Sequence, residues 1–284
     1  MIEIRHRDTG EVIETLDGDT LIGADLRDMR LDGADFRGAD LTGANLEFSD
    51  LNQADFSGAK LRSTLLFRTH MAGANLSGAD LSGARMGSEH PSRAANLSGA
   101  NLTKAILRGA DLRNAEVRNA NLQGVDLSGA DLRGADFSGS NLCHVVARKA
   151  LFIRANLRET NLCGADLRDC HLNDANLVKA SMHDADLSSI NPGGFTVINL
   201  ANMEGADLSR ANLRNVSAQD TNLRNANLTG ADLTDAVLGG AILRRADVTD
   251  ANFAGVELAS VTMEFANFSK ARNAVIPNYK KNLR

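Results

Sequence analysis

Two thiols and two imidazoles hold the most reactive side chains of this 284-residue chain. Cys143, Cys163 and His183 recur at equal intervals along the numbering, and His144 stands beside the first of them. Thiolate sulfur and imidazole nitrogen are good zinc ligands, yet no tightly spaced ligand motif accompanies them. Whether they meet depends on whether the chain returns to one place at that same interval. No Ser/His/Asp set, phosphate loop or buried carboxylate pair stands out, because Asp and Ser are scattered along the whole chain. The reading is therefore no enzyme, no cofactor and no metal.

The positioning element is a period of five. Leu or Phe returns at every fifth place, with Ala two before it and Asp or Asn one before it, as in Gly23-Ala24-Asp25-Leu26 and Ala44-Asn45-Leu46. A period of five fits neither a helix nor a strand. It fits a chain that turns a corner in every unit and sends one large and one small side chain inward. These central positions run unbroken from Leu21 to Met86, from Leu97 to Leu187 and from Met203 to Phe268; of the 47, only Ala147 and Ala218 are not Leu, Phe, Met or Val. Gly follows the centre by two at Gly38, Gly43, Gly58 and Gly78, where a corner can require φ > 0. Such a short repeat specifies a stacked solenoid with a narrow, dry interior.

The unit Ala-(Asp/Asn)-Leu-x-x, sustained over residues 21–268, resembles the pentapeptide-repeat family. The resemblance implies an all-β, right-handed quadrilateral parallel β-helix in which four units make one coil. Closing each coil by hydrogen bonds to its neighbours gives about 12 coils at a rise of about 4.8 Å. On that footing Cys143, Cys163 and His183 stack on three consecutive coils. Cys143 and His183 are then two coils apart, too far for one ion, and a reduced thiol pair is expected. Cys170, two before Leu172, is expected to pack inward.

Residues 1–20 read as an N-terminal capping hairpin, with Ile2-Glu3-Ile4-Arg5 and Glu11-Val12-Ile13-Glu14 flanking Asp8-Thr9-Gly10. Residues 21–268 are the solenoid, with bulges near 87–93 and 188–198. Residues 269–284, interrupted by Pro277, are a short irregular C-terminal tail. From Met86 to Leu97 is two units plus one residue, and from Leu187 to Met203 three units plus one. Counted so, both bulges leave the same edge.

Steps of one coil then assign one face. Phe48, Leu65, Phe67, Ile106 and Val146 form its apolar half, and Asp166, Asp186, Asp207 and Asp247 its acidic half. Large apolar side chains replacing Asp and Arg on a surface mark a contact with something, so these residues are the candidate partner-binding surface. A second face carries Asn101, Asn121, Asn141, Asn161, Asn202 and Asn222, a ladder able to hydrogen-bond coil to coil.

Composition narrows the partners. The net charge is -5, Trp is absent and Tyr279 is the single tyrosine, which argues against direct nucleic-acid binding. No apolar run is long enough for a membrane, residues 1–20 are studded with charge, and three cysteines make no disulfide framework; the expectation is a cytoplasmic chain. The leading reading is a non-catalytic scaffold presenting one long face to a protein partner. The resemblance implies an alternative, a DNA mimic that binds DNA gyrase or topoisomerase IV and confers resistance to quinolones or topoisomerase poisons. Against it, Arg27, Arg37, Arg113 and Arg133 follow centres and offset the neighbouring Asp charge. The resemblance also implies a homodimer through a C-terminal helical module, whereas the tail here lacks an apolar stripe.

Overall fold

Each repeat unit folds by the same three local devices. The N–H two before a centre closes a turn onto the previous centre's carbonyl, as in Ala44 N–H to Leu41 O at 2.9 Å. The third residue of that turn has φ > 0, as at Gly43 (φ 69) and Asn114 (φ 58), the requirement of a type II turn. The Asp or Asn before each centre accepts the N–H two places on: Asp40 Oδ1 from Thr42 at 3.1 Å and Asp207 Oδ1 from Ser209 at 3.0 Å. These Asx turns explain the Asp/Asn preference, since a short side-chain acceptor is needed at that place.

Stacking satisfies the remaining backbone groups. Leu26 N–H donates to Asn45 O at 2.7 Å and Asn45 N–H to Ala24 O at 2.9 Å, so coils bond above and below. Parallel bridges link equivalent positions of successive coils, such as Asp25 to Asn45 and Asn45 to Leu65. Inside, Leu26, Leu46, Leu66 and Met86 are fully buried, as are Ala44 and Ala74 of the small column. Where Ser or Thr replaces Ala, the hydroxyl donates to a nearby carbonyl: Ser49 Oγ to Leu26 O at 2.5 Å, Thr221 Oγ1 to Ile198 O at 2.8 Å. Cys170 is buried among these positions, its Sγ 2.7 Å from Ala147 O, and burial pushes its thiol pKa up.

A computed structural model describes residues 1–189 and 194–280. The chain divides into two compact units, Met1–Leu142 and Cys143–Arg284, here units 1 and 2. Each is a right-handed quadrilateral β-helix. Unit 1 opens with an antiparallel hairpin, β1 (Ile2–Arg5) and β2 (Val12–Leu16), in the register Ile2 to Leu16 and Ile4 to Glu14. The hairpin continues onto the first coil, where Asp35 N–H donates to Arg5 O at 2.8 Å and Arg7 N–H to Gly33 O at 2.9 Å. The described part of unit 2 closes with a 3-10 turn, Asn278–Lys280, whose Lys280 Nζ reaches Leu258 O and Val261 O at 3.2 and 2.7 Å.

Each unit contains one enlarged coil, and here the sequence-based count is corrected. His70 bridges Asn96 and Arg85 bridges Asp111, whereas the regular separation returns from Asn96 to Glu116. Positions equivalent across this break, such as Asn75 and Asn101, stand 26 apart. The stretch from Met86 to Leu97 is therefore one side lengthened by six, not two sides lengthened by one. In unit 2 His171 bridges Val197 and Asp186 bridges Asn212, again 26 apart. Ile198 is buried as a centre, which makes this break, from Leu187 to Ile198, the same length as the first. Placing both bulges on one edge depended on the other count and falls with it. Pro91–Arg93 forms a 3-10 turn in the first break. Residues 190–193 of the second, within the predicted 188–198 bulge, lie outside the described residues, as do 281–284 of the tail.

Candidate interaction surface

The corrected coil length moves the surface rows. In unit 1 Leu65 bridges Asn45 and Arg85, while Ile106 bridges Asp80 and Asp126 on the adjoining row. Phe48, Leu65 and Phe67 come together, Phe48 N–H donating to Phe67 O at 3.0 Å, and Ile106 stands apart from them. Phe48 is 46% exposed and Ile106 37%, whereas Leu65 and Phe67 are half-buried. Arg68 lies over the Phe48 ring at 5.3 Å and Arg85 over the Phe67 ring at 5.1 Å. Two guanidinium-capped phenyl rings on adjacent coils make one amphipathic patch. The sequence reading does not single out these arginines, although Arg68 stands one full coil after Phe48.

Phe48 also occupies a costly backbone position. Its φ is 64, in the left-handed region that Gly, Asn and Asp tolerate and most side chains avoid. Leu200 (φ 61, 58% exposed) and Phe265 (φ 62, 56% exposed) in unit 2 share this condition. Neither lies on the face that the sequence reading selects. A large apolar residue two after a centre, where the turn calls for Gly, is the sign that would have found Phe265; Leu200 follows Ile198, which the sequence does not mark as a centre.

In unit 2 Val146 bridges Asp166 and Asp166 bridges Asp186, so these three share a row. Asp207 bridges Ser181 and Asn227, and Asp247 bridges Asn227, which puts both on the neighbouring row. The acid is offset by cations. Arg148 and Arg168 hold Asp166 at 2.6 and 2.7 Å, and Arg168 lies 3.7 Å from Asp186. Burial pushes the Asp166 carboxyl up, but hydrogen bonds from Arg168 and Arg148 outweigh it and leave it below the usual carboxylate range. The hydroxyl of Thr249 likewise lowers Asp247.

The asparagine ladder is present, with different members. Asn101 Nδ2 donates to Asn75 Oδ1 and Asn141 Nδ2 to Asn121 Oδ1, each at 3.2 Å, in unit 1. In unit 2 the row is Asn156, Asn176, Asn202 and Asn222, with donations of 3.1 Å from Asn176 to Asn156 and 3.0 Å from Asn222 to Asn202. Asn161 instead bridges Ser181.

The thiols are not reduced. Cys143 and Cys163 form a disulfide with Cα atoms 4.7 Å apart, a separation that adjacent coils supply and that lies inside the range a disulfide spans. The cysteine count therefore no longer argues for a reducing compartment. The ligand atoms of Cys143, His144 and Cys163 lie within 4.8 Å of one another. His183 turns aside: its Nδ1 is 3.1 Å from Asp184 Oδ2, and Arg210 holds the same carboxylate at 2.6 Å. Among the described residues no helix is long and apolar enough to cross a membrane.

The model of the pentapeptide-repeat family matches eight stretches, 21–58, 49–87, 95–134, 110–146, 130–169, 155–191, 201–240 and 240–272. A trypsin-treated form of QnrB1, a plasmid-mediated fluoroquinolone resistance protein, is 24% identical over 78% of this chain and 91% of that one, with a TM-score of 0.46. HetL from the cyanobacterium Nostoc sp., a pentapeptide repeat protein involved in heterocyst differentiation regulation, is 30% identical over 84% of this chain and 87% of that one, with a TM-score of 0.22. No curated protein matches the chain. The chain belongs to the pentapeptide-repeat family.

Proposed function

We propose that this pentapeptide-repeat chain is a non-catalytic scaffold whose unit 1 presents the Phe48, Leu65 and Phe67 patch to a protein partner. The supporting observation is Phe48 itself: a large apolar side chain directed outward from a left-handed corner, beside a second capped phenyl ring. Neither the backbone nor the core gains from Phe there, because Gly or Asn would turn the corner at lower cost. Aromatic rings flanked by arginine are the residue types that dominate protein interfaces.

The test is partner capture with the parent chain and with a Phe48→Asp, Phe67→Asp double variant, alongside far-UV circular dichroism. The double variant is expected to lose a specifically captured protein while keeping its fold. Retention of that partner by a folded double variant would overturn the reading. The gyrase-binding alternative rests on the family resemblance and on the Asp166–Asp186 row, whose charge Arg148 and Arg168 offset. A supercoiling assay with and without a quinolone separates the two. Protection of gyrase by the parent chain would replace the scaffold reading with the alternative, and an unchanged topoisomer pattern would remove the alternative.

A further inference from the structure

We propose that Cys143, His144 and Cys163 form a redox-gated zinc site on the first two coils of unit 2. Three observations meet here. The ligand atoms of the three residues lie within 4.8 Å of one another. A tetrahedral zinc with Zn–S near 2.3 Å and Zn–N near 2.0–2.1 Å needs its ligand atoms roughly 3.5–3.8 Å apart, a change that small side-chain rotations provide once the sulfurs separate. The backbone beneath is fixed, since His144 N–H donates to Cys163 O at 2.8 Å and Gly164 N–H to His183 O at 2.9 Å. The imidazole lies across Gly164, where a Cβ would come within 2.6 Å of Nδ1. Glycine at that corner lets the ring rest beside the sulfurs.

The gate is the disulfide. While it stands, neither sulfur is a thiolate and His144 alone offers a ligand. A dithiol reductant delivers two electrons and two protons to the Cys143–Cys163 bond and is itself oxidised to a cyclic disulfide. Zinc then displaces the two thiol protons, binding both thiolates and the neutral imidazole, with water in the fourth position. His144 is exposed and both cysteines are half-buried, so reductant and ion reach the site from solvent. Cys170 takes no part; it is buried against Ala147 O with its thiol pushed up by burial.

The experiment uses the full chain, reduced with a phosphine, desalted without oxygen and titrated with Co²⁺ as the spectroscopic probe before displacement by Zn²⁺. A thiolate-to-cobalt charge-transfer band saturating at one ion per chain is the expected result. It should be absent from the oxidised chain, lost in Cys163→Ser, and shifted to higher cobalt in His144→Ala. No band in the reduced chain, a band surviving Cys163→Ser, or a His144→Ala titration identical to the parent's would each overturn the proposal. If Cys163→Ser does not fold, reduced parent alkylated with iodoacetamide takes its place, and a surviving band has the same meaning. This site is independent of the unit 1 patch.

Discussion

In unit 1 the enlarged coil is fastened by charge and amide: Glu89 pairs with Arg113, and Asn114 Nδ2 reaches Ser88 O at 2.8 Å. In unit 2 the equivalent coil is fastened by hydroxyls around a buried carboxylate. Ser189 Oγ donates to Asp169 Oδ1 at 2.5 Å, and Asp169 N–H donates to Thr196 Oγ1 at 2.8 Å. Both breaks lengthen one side equally and both restore the regular step at once. The fasteners differ while the ladder does not. The inward columns and backbone bonds set the fold, and what projects outward is free to diverge. Both units carry cation-offset aspartates and guanidinium-capped phenyl rings, Phe48 and Phe67 in unit 1 and Phe265 under Arg244 and Arg245 in unit 2. But unit 1 sets two such rings side by side, and unit 2 carries the disulfide.

If the interiors are equivalent, matched core truncations should cost alike. Leu102→Ala in unit 1 and Leu177→Ala in unit 2 each remove a fully buried centre and should each lower the unfolding free energy by about 2–5 kcal/mol in urea denaturation. A cost confined to one unit breaks the comparison. The asparagine rows come next: Asn101→Ala and Asn222→Ala each lose a coil-to-coil bond and should each cost about 1 kcal/mol in the same measurement.

One interior difference can be sharpened. Ala218 is a centre without a large side chain, and beside it Leu208, Leu213, Leu223 and Leu233 line a small apolar cavity. Ala218→Val should raise stability by up to about 1 kcal/mol, seen as a higher thermal midpoint; a lower one means the column cannot take the added volume.

Acid gives the smallest separation. Burial raises the Asp111 carboxyl in unit 1, but hydrogen bonds from Arg113 lower it further, and Asp166 in unit 2 behaves in the same sense. A carboxylate whose folded pKa lies below its unfolded value of about 3.9 contributes stability above that pH. That contribution is lost as pH falls through the folded pKa. Arg113→Met and Arg168→Met should each flatten the fall in thermal midpoint below about pH 4, and an unaltered acid profile in either would deny its ion pair any role.

Much of this is legible from a one-line repeat. Ala, Asp/Asn and Leu at fixed offsets name an inward small residue, an Asx acceptor and an inward large residue, each a local demand of the corner. The breaks are not legible in the same way, because the interval from Met86 to Leu97 divides equally well as two units plus one or as one unit plus six. Only the ladder from Arg85 to Asp111 decides. Ile198 does not announce itself as a centre because Ile is rare in that column, and the surface rows then shift by one face beyond each break. The disulfide escapes for a related reason. Stacking Cys143 on Cys163 is correct, but ladder spacing weighed for metal geometry alone overlooks a direct sulfur bond.

The Cys143–Cys163 bond turns one wrap of the tube into a covalent hoop. Under tension from the C-terminal end, a solenoid unravels by peeling its outermost layer, and every layer beyond the hoop can be drawn out as thread. The hoop itself cannot open, and its sequence separation of 20 withholds about 70 Å of contour. A force-extension trace of unit 2 should be shorter by that length before reduction than after it.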